Sequence, residues 1–400
     1  MQVTTRQGEI HIELQTGNRV TDTMQCDEAR PVCGGCHRHK VHCHYDRAPQ
    51  PKTGTPSTVP ATPVDNASPA PPTETRERRY LELRLLHTFV ADICPHTAGT
   101  HLPVLQNTWV NEVPRMALEH EPLLNAIMSI SCLYLLTQGR DTDPELELHR
   151  ANYLEATVQQ HRETLANMTK ENSDPACFVS VLLTMDAFAN LRFRQLEPYE
   201  PPLHWLQMSR GLGGVFQQAI ELLKDNPGAK MRSLVDTAGS YVKPDVVFCK
   251  SNREGLEHLL HFREGEIHDE SDVTAYENVV SYIGSVIRAM RSSEDPKMIS
   301  RRLTSFSVIV SARFIELLRF QKPRALVLLA HFFALASCVR YTWWVGPSPG
   351  REIRAIQAQL GQEWQALMSW PIEQLEKEPY APDEKDRAPW PEATAVIPSA

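Results

Sequence analysis

Two features are scarce in this 400-residue chain: long uncharged apolar runs and an excess of basic residues. The most membrane-like stretch, residues 325–345, is interrupted by His331 and Arg340, and its uncharged part is too short to span a bilayer. We therefore expect a buried helix there and no membrane contact. Lys and Arg number 41 against 49 Asp and Glu, which gives a net charge of −8. That balance excludes a molecule that coats nucleic acid as a whole, so any nucleic-acid contact must be local.

Catalytic signatures and a targeting segment are also missing. No G-x-S-x-G or H-E-x-x-H array occurs in the sequence. The stretch SRGLGGVF, residues 209–216, follows no predicted strand and precedes no Lys-Ser/Thr, so we interpret it as a helix contact rather than a phosphate loop. Residues 1–20 lack the apolar core of a signal peptide, and none is expected. A non-enzymatic protein is therefore predicted, and an enzyme with a helical core is the least favoured class.

Cysteine is concentrated in one segment. Four of the nine cysteines and four of the sixteen histidines lie in residues 24–47. The other cysteines lie far apart in apolar helical patterns, where a free cysteine behaves as a small hydrophobe. They are Cys94, Cys132, Cys177, Cys249 and Cys338. This usage predicts a reducing compartment.

The clustered residues Cys26, Cys33, Cys36 and Cys43 have the spacing C-x6-C-x2-C-x6-C. The central two-residue gap lets two thiolates bind one metal, and zinc favours a tetrahedron of soft thiolates. A segment without its own core would gain its fold from that binding. The compartment disfavours a disulfide, and a redox C-x-x-C would need an adjacent strand and helix. Zinc binding is the prediction, and its alternative is that the four cysteines share no role.

Four histidines alternate with these cysteines: His37, His39, His42 and His44. They could replace a thiolate as metal ligands. Because they flank a basic loop, contact with solvent or phosphate is the favoured interpretation.

The stretch CDEARPVCGGCHRHKVHCHYDR, residues 26–47, resembles the second two-thirds of the fungal binuclear zinc cluster, in which six cysteines hold two zinc ions. By position, Cys26 matches the third cysteine of that pattern, Cys33 the fourth, Cys36 the fifth and Cys43 the sixth. The resemblance implies the DNA-binding module of a nuclear transcription regulator. Four basic residues are expected to contact phosphates without reading bases: Arg30, Arg38, Lys40 and Arg47.

The upstream part of that pattern is absent. The family carries a C-x2-C pair and a Lys/Arg-rich stretch before the third cysteine, whereas residues 13–25 read ELQTGNRVTDTMQ, with Arg19 the one basic residue. At most one complete four-thiolate site remains. Two explanations are open: a wrongly assigned first exon, or a genuine variant with weak or no DNA binding. We favour the first, because the matching half and the following linker look unaltered.

Composition divides the chain into five regions. Residues 1–23 are predicted to be irregular, 24–47 form the partial zinc cluster, and 48–75 are a Pro/Thr/Ser-rich linker with too little apolar surface to fold. Residues 76–371 show helical periodicity without convincing alternating strands, which predicts an all-α domain of packed helices. Residues 372–400 are a Pro-rich tail.

Periodicity also predicts details of the helical domain. Thr142 is predicted to cap a helix, and His149 and His161 are predicted to be solvated. The buried stripe of the first helix is predicted to be Tyr80, Leu83, Leu86, Val90 and Ile93. Further helices are predicted near residues 174–193, 202–224, 272–291, 302–320, 324–345 and 351–368.

Several stretches of this domain, among them LELRLLHTFV and HWLQMSRGLGGVF, are similar in order and spacing to the regulatory domain of fungal zinc-cluster regulators of the sterol uptake control type. The similarity covers roughly residues 78–371. It implies a helical domain with an apolar pocket, for a sterol in some members, and a transcription-activating surface. The expected pocket residues are Trp205, Met208, Phe332, Phe333, Trp343 and Trp344. Core packing is their alternative role, and large apolar stripes more often have it.

These observations predict a zinc-dependent nuclear regulator of RNA polymerase II transcription, acting on a metabolic or sterol-related gene set. Its expected partners are DNA and the transcription machinery, with a lipid or sterol ligand and a homodimer as further candidates. The homodimer is left open because no sustained heptad follows the cysteine segment. The alternative is a helical regulator that does not bind DNA and acts through protein or lipid contacts.

Overall fold

A computed structural model describes the backbone of residues 2–6 and 9–13, and, with side chains, residues 75–139, 143–239, 242–264, 266, 269–377 and 379. Residues 1–71 and 72–400 form two units, which are described separately. The predicted metal ligands and phosphate-contacting residues lie outside the described residues. So do the linker before Thr75 and almost all of the tail beyond residue 377.

The described part of the first unit is an antiparallel hairpin. Strand β1, Gln2–Arg6, pairs with β2, Glu9–Glu13, and Val3 lies opposite Ile12. The irregular structure predicted for residues 1–23 is therefore wrong at the strand positions. Both strands carry β-branched residues, which favour extended backbone, and in β2 Ile10 and Ile12 alternate with polar residues at the two-residue period of a sheet. Each run is only five residues long.

The second unit is built of helices, which confirms the predicted all-α class. Its described α-helices are α1 Arg76–Thr88, α2 Pro103–Asn107, α3 Val113–Ala117, α4 Glu121–Thr137, α5 Pro144–Ala166, α6 Ser173–Ala189, α7 Leu203–Leu222, α8 Arg232–Asp236, α9 Pro244–Val247, α10 Glu270–Arg291, α11 Pro296–Ile309, α12 Ala312–Arg319, α13 Pro323–Ser337, α14 Ser348–Gln359 and α15 Gln365–Glu376. π-helical turns occur at Phe89–Ile93 and Thr108–Glu112, and 3-10 turns at Cys94–His96, Asn190–Phe193, Lys250–Arg253, Glu257–Leu260 and Gln362–Trp364. Helix α15 continues beyond the predicted domain end at residue 371.

The most enclosed element of this domain is α13. Every residue from Arg324 to Ser337 is buried, and α10, α11, α12, α14 and α15 pack around it. Its sequence is apolar on all faces rather than on one stripe, which is the pattern of a helix without a solvent side. The helix predicted for residues 324–345 therefore exists, but it ends at Ser337 and the chain continues in turns.

One stretch, Ser173–Phe193, is long and apolar enough to cross a membrane by length and composition. It comprises α6 and the 3-10 turn that follows. In the structure 67% of its apolar window is buried, and α6 packs against α4 and α7. Core helices of globular domains share this length and composition, so we assign the stretch to the core.

Helix α1 buries a different face from the predicted one. Leu85 and Phe89 are fully buried, whereas Tyr80 and Leu83 are each 58% exposed. The helix changes to π geometry at Phe89–Ile93, which adds a residue to the turn and rotates the faces relative to each other. A stripe drawn through both halves with one helical period therefore selects the wrong side of the first half.

Short polar side chains determine helix starts that periodicity alone misplaced. Asp143, not Thr142, caps α5, because its carboxylate accepts the backbone N–H of Leu146 at 3.0 Å. The Ser311 hydroxyl likewise accepts the N–H of Phe314 at 3.1 Å. This second cap divides the predicted helix at residues 302–320 into α11 and α12.

Two histidines are buried within the helical core. His161, predicted to be solvated, has Nε2 2.8 Å from the Ser180 hydroxyl oxygen. His331 in α13 donates from Nδ1 to the Val327 carbonyl at 2.8 Å and stacks on Trp370. Burial lowers the pKa of each imidazole to about 4. Both rings are therefore neutral at physiological pH.

Lowering the pH from 7.5 to 5 is expected to destabilise the domain through His331. Its pKa is about 4 in the folded chain against 6.5 for an ordinary histidine, so between these values the unfolded chain binds the additional proton and stability falls as pH falls. At pH 5 this loss is about 2 kcal/mol. The variant His331→Phe keeps a ring against Trp370 and should lose about 2 kcal/mol less than wild type between the two pH values, measured by urea unfolding.

The control for that experiment is His149→Gln, at a side chain 32% exposed on α5. This variant should retain the pH dependence of the wild type. If His331→Phe also retains it in full, His331 does not contribute to acid destabilisation.

Two glycines provide opposite tests of helix packing. At Gly284 in α10 a Cβ atom would lie 1.7 Å from the Asn252 carbonyl oxygen, so Gly284→Ala must displace the backbone of a neighbouring turn and should cost at least about 2 kcal/mol. At Gly214 in α7 no atom lies within 4 Å of that position, so Gly214→Ala should stabilise the domain by about 0.5–1 kcal/mol through helix propensity. Urea unfolding measures both, and changes of the same sign would contradict this description.

Candidate ligand-binding site

An apolar pocket of about 360 Å³ lies within the helical domain, between α6, α7, α11 and α13. Small-molecule sites in proteins have volumes of about 300–1,000 Å³. The lining of the apolar pocket includes Met185, Phe188, Trp205, Leu212, Phe332 and Trp344. Its shape and surface suit a small molecule of mainly hydrocarbon character.

Aromatic contacts fix one wall of the apolar pocket. Phe188 lies edge-on to Trp205, with ring centroids 4.9 Å apart, and edge-on to Trp344 at 5.4 Å. Trp205 in turn stacks on Phe332 at 5.7 Å. These geometries match the quadrupoles of the rings, so each ring restricts the rotamers of its neighbours. The wall therefore has a defined shape.

The structure brings together three of the six residues expected at a pocket. Trp205, Phe332 and Trp344 line it, whereas Met208, Phe333 and Trp343 do not. Neighbours in a helix point in directions about 100° apart, and of this pair Phe332 faces the pocket and Phe333 does not.

The three residues outside the lining have packing roles. Met208 is partly buried against the main core, and Phe333 is fully buried 6.4 Å from the Trp205 ring. Trp343 packs edge-on to Tyr134 at 5.4 Å. Their expected place at the pocket is corrected accordingly.

Sequence reasoning missed other lining residues. Val181, Met185 and Phe188 lie on one face of α6 at spacings of four and three residues. That signal was present in the sequence, but it is identical to the signal of an ordinary core face. Trp109 and Leu234 come from short elements without any periodic pattern, so only the fold places them at the pocket.

Most hydroxyl groups at the pocket donate a hydrogen bond to a carbonyl oxygen of their own helix. Thr184 donates to the Ser180 carbonyl at 2.9 Å, and Thr304 and Ser305 donate to the Arg301 carbonyl at 2.8 and 3.0 Å. Their oxygens retain lone pairs, so these groups can accept a hydrogen bond but have no proton left to donate. Such a lining accommodates a ligand hydroxyl without requiring a charge.

Two indole groups of the lining lack a partner. Neither the Trp109 nor the Trp344 Nε1–H has a hydrogen-bond acceptor among the described residues, and both nitrogens are buried. Buried indole N–H groups usually find an acceptor. The pocket lining therefore contains donors as well as acceptors that its own side chains do not use.

A buried ion pair and two further hydrogen bonds hold the chain segments that flank the aromatic wall. Arg194, after α6, forms two hydrogen bonds to the Glu352 carboxylate in α14, at 2.6 and 2.8 Å. The Tyr199 hydroxyl donates to the same carboxylate at 3.1 Å. Arg192 donates to the Trp343 carbonyl at 2.7 Å. These bonds join the end of α6 to the turn that carries Trp344.

No described cluster of three or more His, Cys, Asp or Glu side chains is arranged to hold a metal ion. The five cysteines of the helical domain are free thiols. Cys94, Cys132 and Cys177 are buried as predicted, and burial raises the pKa of the Cys132 thiol to about 12. Cys338 is half-buried, and Cys249 is exposed, which corrects the expectation that all five are core residues.

Comparison with known proteins identifies the family. Residues 84–200 match the family described as the fungal specific transcription factor domain. The Zn(2)-C6 fungal-type transcription factor afumD of Aspergillus fumigatus is 34% identical over 312 residues, which cover 78% of this chain and 81% of the relative. A Zn(2)-C6 fungal-type transcription factor of Gibberella zeae is 24% identical, over 87% of this chain and 82% of the relative.

A more distant relative is the sterol uptake control protein 2 of Candida albicans, with 21% identity over 64% of this chain and 36% of the relative. The predicted resemblance to this group is confirmed. The matched proteins carry the names of transcription factors, not of enzymes. The chain is a transcription regulator and belongs to the Zn(2)-C6 fungal-type transcription factors.

Proposed function

We propose that this chain is a zinc-dependent, nuclear regulator of RNA polymerase II transcription whose helical domain responds to an uncharged, mainly apolar small molecule. The proposed response to a small molecule rests on the apolar pocket. Its walls are hydrocarbon and aromatic, and Arg301 is the one charged side chain in its described lining. A charged ligand would lose its hydration there without enough compensation, whereas an apolar one gains by leaving water.

The ligand that fits this chemistry has a hydrocarbon body and one or a few neutral oxygen atoms. Hydroxyl lone pairs at Thr184 and Ser305 can accept from a ligand hydroxyl. The unpaired indole donors of Trp109 and Trp344 belong to the same lining. Sterols and similar lipids have this composition, and a relative is named for sterol uptake control.

Zinc dependence rests on the donor set of Cys26, Cys33, Cys36 and Cys43. Four thiolates at this spacing suit one tetrahedral zinc ion, which would give the segment its fold. The names of two relatives specify a Zn(2)-C6 module, which has two more cysteines than this segment. We infer that one zinc is bound and that the neighbouring basic residues contact DNA phosphates.

The missing upstream cysteine pair favours a second candidate function. Without the family's basic stretch after that pair, sequence-specific reading of bases has no evident source. The chain would then regulate transcription through protein or lipid contacts of its helical domain. Phosphate contacts alone would give weak binding that salt removes.

The ligand proposal is tested with the neutral apolar dye Nile red and a sterol competitor. Dye fluorescence should rise on binding, and the sterol should reverse it. Leu212→Trp fills part of the lining and should weaken dye binding at least about tenfold. Met208→Trp makes the same kind of change one turn earlier on α7, outside the lining, and should bind as the wild type does. Binding that neither variant alters would place the dye elsewhere.

The zinc proposal is tested by metal analysis of the purified chain. About one zinc per chain is expected for the wild type, and Cys33→Ser should lose it because three thiolates hold the ion too weakly. Cys249→Ser is the control, since this exposed cysteine lies in the helical domain. Zinc at background level in the wild type would contradict the proposal.

DNA binding separates the two candidate functions. A base-reading module should prefer one DNA element over a scrambled one at salt near 150 mM, and Cys33→Ser should abolish that preference. Equal, weak binding to both duplexes that disappears with added salt would support the second candidate.

A further inference from the structure

The apolar pocket has one thin wall, formed by α8 and the turn that follows it. Leu234, Val235 and Ala238 of this segment line the pocket. The five residues of α8 include none that is buried. The opposite walls belong to α6 and α7, which are 17 and 20 residues long and contribute many core residues. Leu234 and Val235 pack against the main core but are only partly buried, so the thin wall is less firmly packed than the long helices beside it.

The amino-terminal side of this wall is firmly attached. The Asp174 carboxylate accepts the backbone N–H groups of Lys230 at 2.7 Å and Met231 at 2.8 Å. The Met231 side chain is 1% exposed and belongs to the core. Lys230 also pairs with Glu112 at 3.1 Å.

The Arg232 guanidinium donates to the Leu223 and Lys224 carbonyls at 3.1 and 2.9 Å, and the Thr108 hydroxyl donates to the Ser233 hydroxyl at 3.0 Å. The fixed part of the wall therefore extends to Ser233.

The carboxyl-terminal side is attached by the Arg301 side chain of α11. The Arg301 guanidinium donates to the Thr237 carbonyl and hydroxyl oxygens, both at 2.8 Å, and to the Leu234 carbonyl. These carbonyls lie at the end of α8, where the partial negative charge of a helix terminus favours a cation. Arg301 also lines the pocket.

The path of the Arg301 side chain depends on Gly99. This glycine has φ of +88°, and a Cβ atom there would lie 3.1 Å from the Arg301 Cδ atom and 2.8 Å from a Leu105 methyl carbon. The missing side chain therefore leaves the room through which the arginine reaches α8. The attachment of α8 by Arg301 therefore depends on two residues that are far apart in the sequence, Arg301 and Gly99.

We propose that residues 234–238 form a lid over the apolar pocket, hinged at Ser233, and that Arg301 is the latch that keeps it closed. The inference rests on the proposed ligand binding at this pocket. Releasing the guanidinium from Leu234 and Thr237 frees the lid, while the bonds of Asp174, Arg232 and Ser233 hold the hinge. A polar latch suits this role because its hydrogen bonds can be exchanged for bonds to water when the lid opens.

The test combines hydrogen exchange with binding kinetics in Arg301→Gln. Backbone amides of residues 234–238 should exchange about tenfold faster than in the wild type, while the amides of α13 keep their protection. Nile red should both associate and dissociate about tenfold faster, because the lid controls entry and exit alike, whereas loss of a wall contact would change dissociation alone.

Arg302→Gln is the matched control, because Arg302 is the next residue of α11, pairs with Glu294 at 2.8 Å and is absent from the pocket lining. It should leave both rates and lid exchange unchanged. Thr237→Val removes one acceptor of the latch on the partly exposed lid, so it tests the idea should Arg301→Gln fail to fold. About threefold faster exchange in the lid is expected for it.

Unchanged lid exchange in Arg301→Gln, or in Thr237→Val if the first variant does not fold, would overturn the latch. So would a weaker Kd that arises from dissociation alone, since that is the behaviour of a wall residue that contacts the dye. Failure of the wild type to bind Nile red would instead contradict the proposed ligand function, and the exchange experiment would still decide whether the lid exists.

Discussion

The enclosure of α13 is the constraint on which the helical domain depends. A helix that is apolar on every face must be surrounded, and five other helices pack around this one. Its polar side chains must therefore find hydrogen-bond partners inside the protein. Arg324 at its first turn forms two hydrogen bonds to Glu266 and lies over the ring of Phe262. His331 remains neutral and stacked.

The same requirement shapes the region around the pocket. A buried charge is tolerated where an oppositely charged side chain lies within hydrogen-bond distance, as between Arg194 and Glu352 or between Arg150 and Asp186. Each of these pairs joins elements that are distant in sequence. The pocket is thus bordered by rigid, cross-linked helices on most sides and by the short α8 segment on one.

The family match and the pocket overlap in the chain. Residues 84–200 contain Trp109 and the α6 face of the pocket, whereas its remaining walls come from residues beyond 200. A ligand in the pocket would therefore contact both halves of the regulatory domain. If the chain binds a ligand as proposed, this arrangement would let the ligand change how the two halves pack.

The sequence by itself determined the class of the fold, and it supplies the argument for the proposed zinc binding by the cysteine segment. Helical periodicity extends over most of residues 76–371, and the cysteine spacing carries its meaning without any tertiary context. The tertiary structure alone decided which faces meet. The sequence could not distinguish Phe332, which lines the pocket, from Phe333, which packs in the core, because both are large, apolar and adjacent. It could not show that a π turn rotates the buried face of α1, or that Arg301 reaches α8 past Gly99. Periodicity shows that a side chain is buried. Which residues it then contacts depends on the packing of helices that lie far apart in the chain.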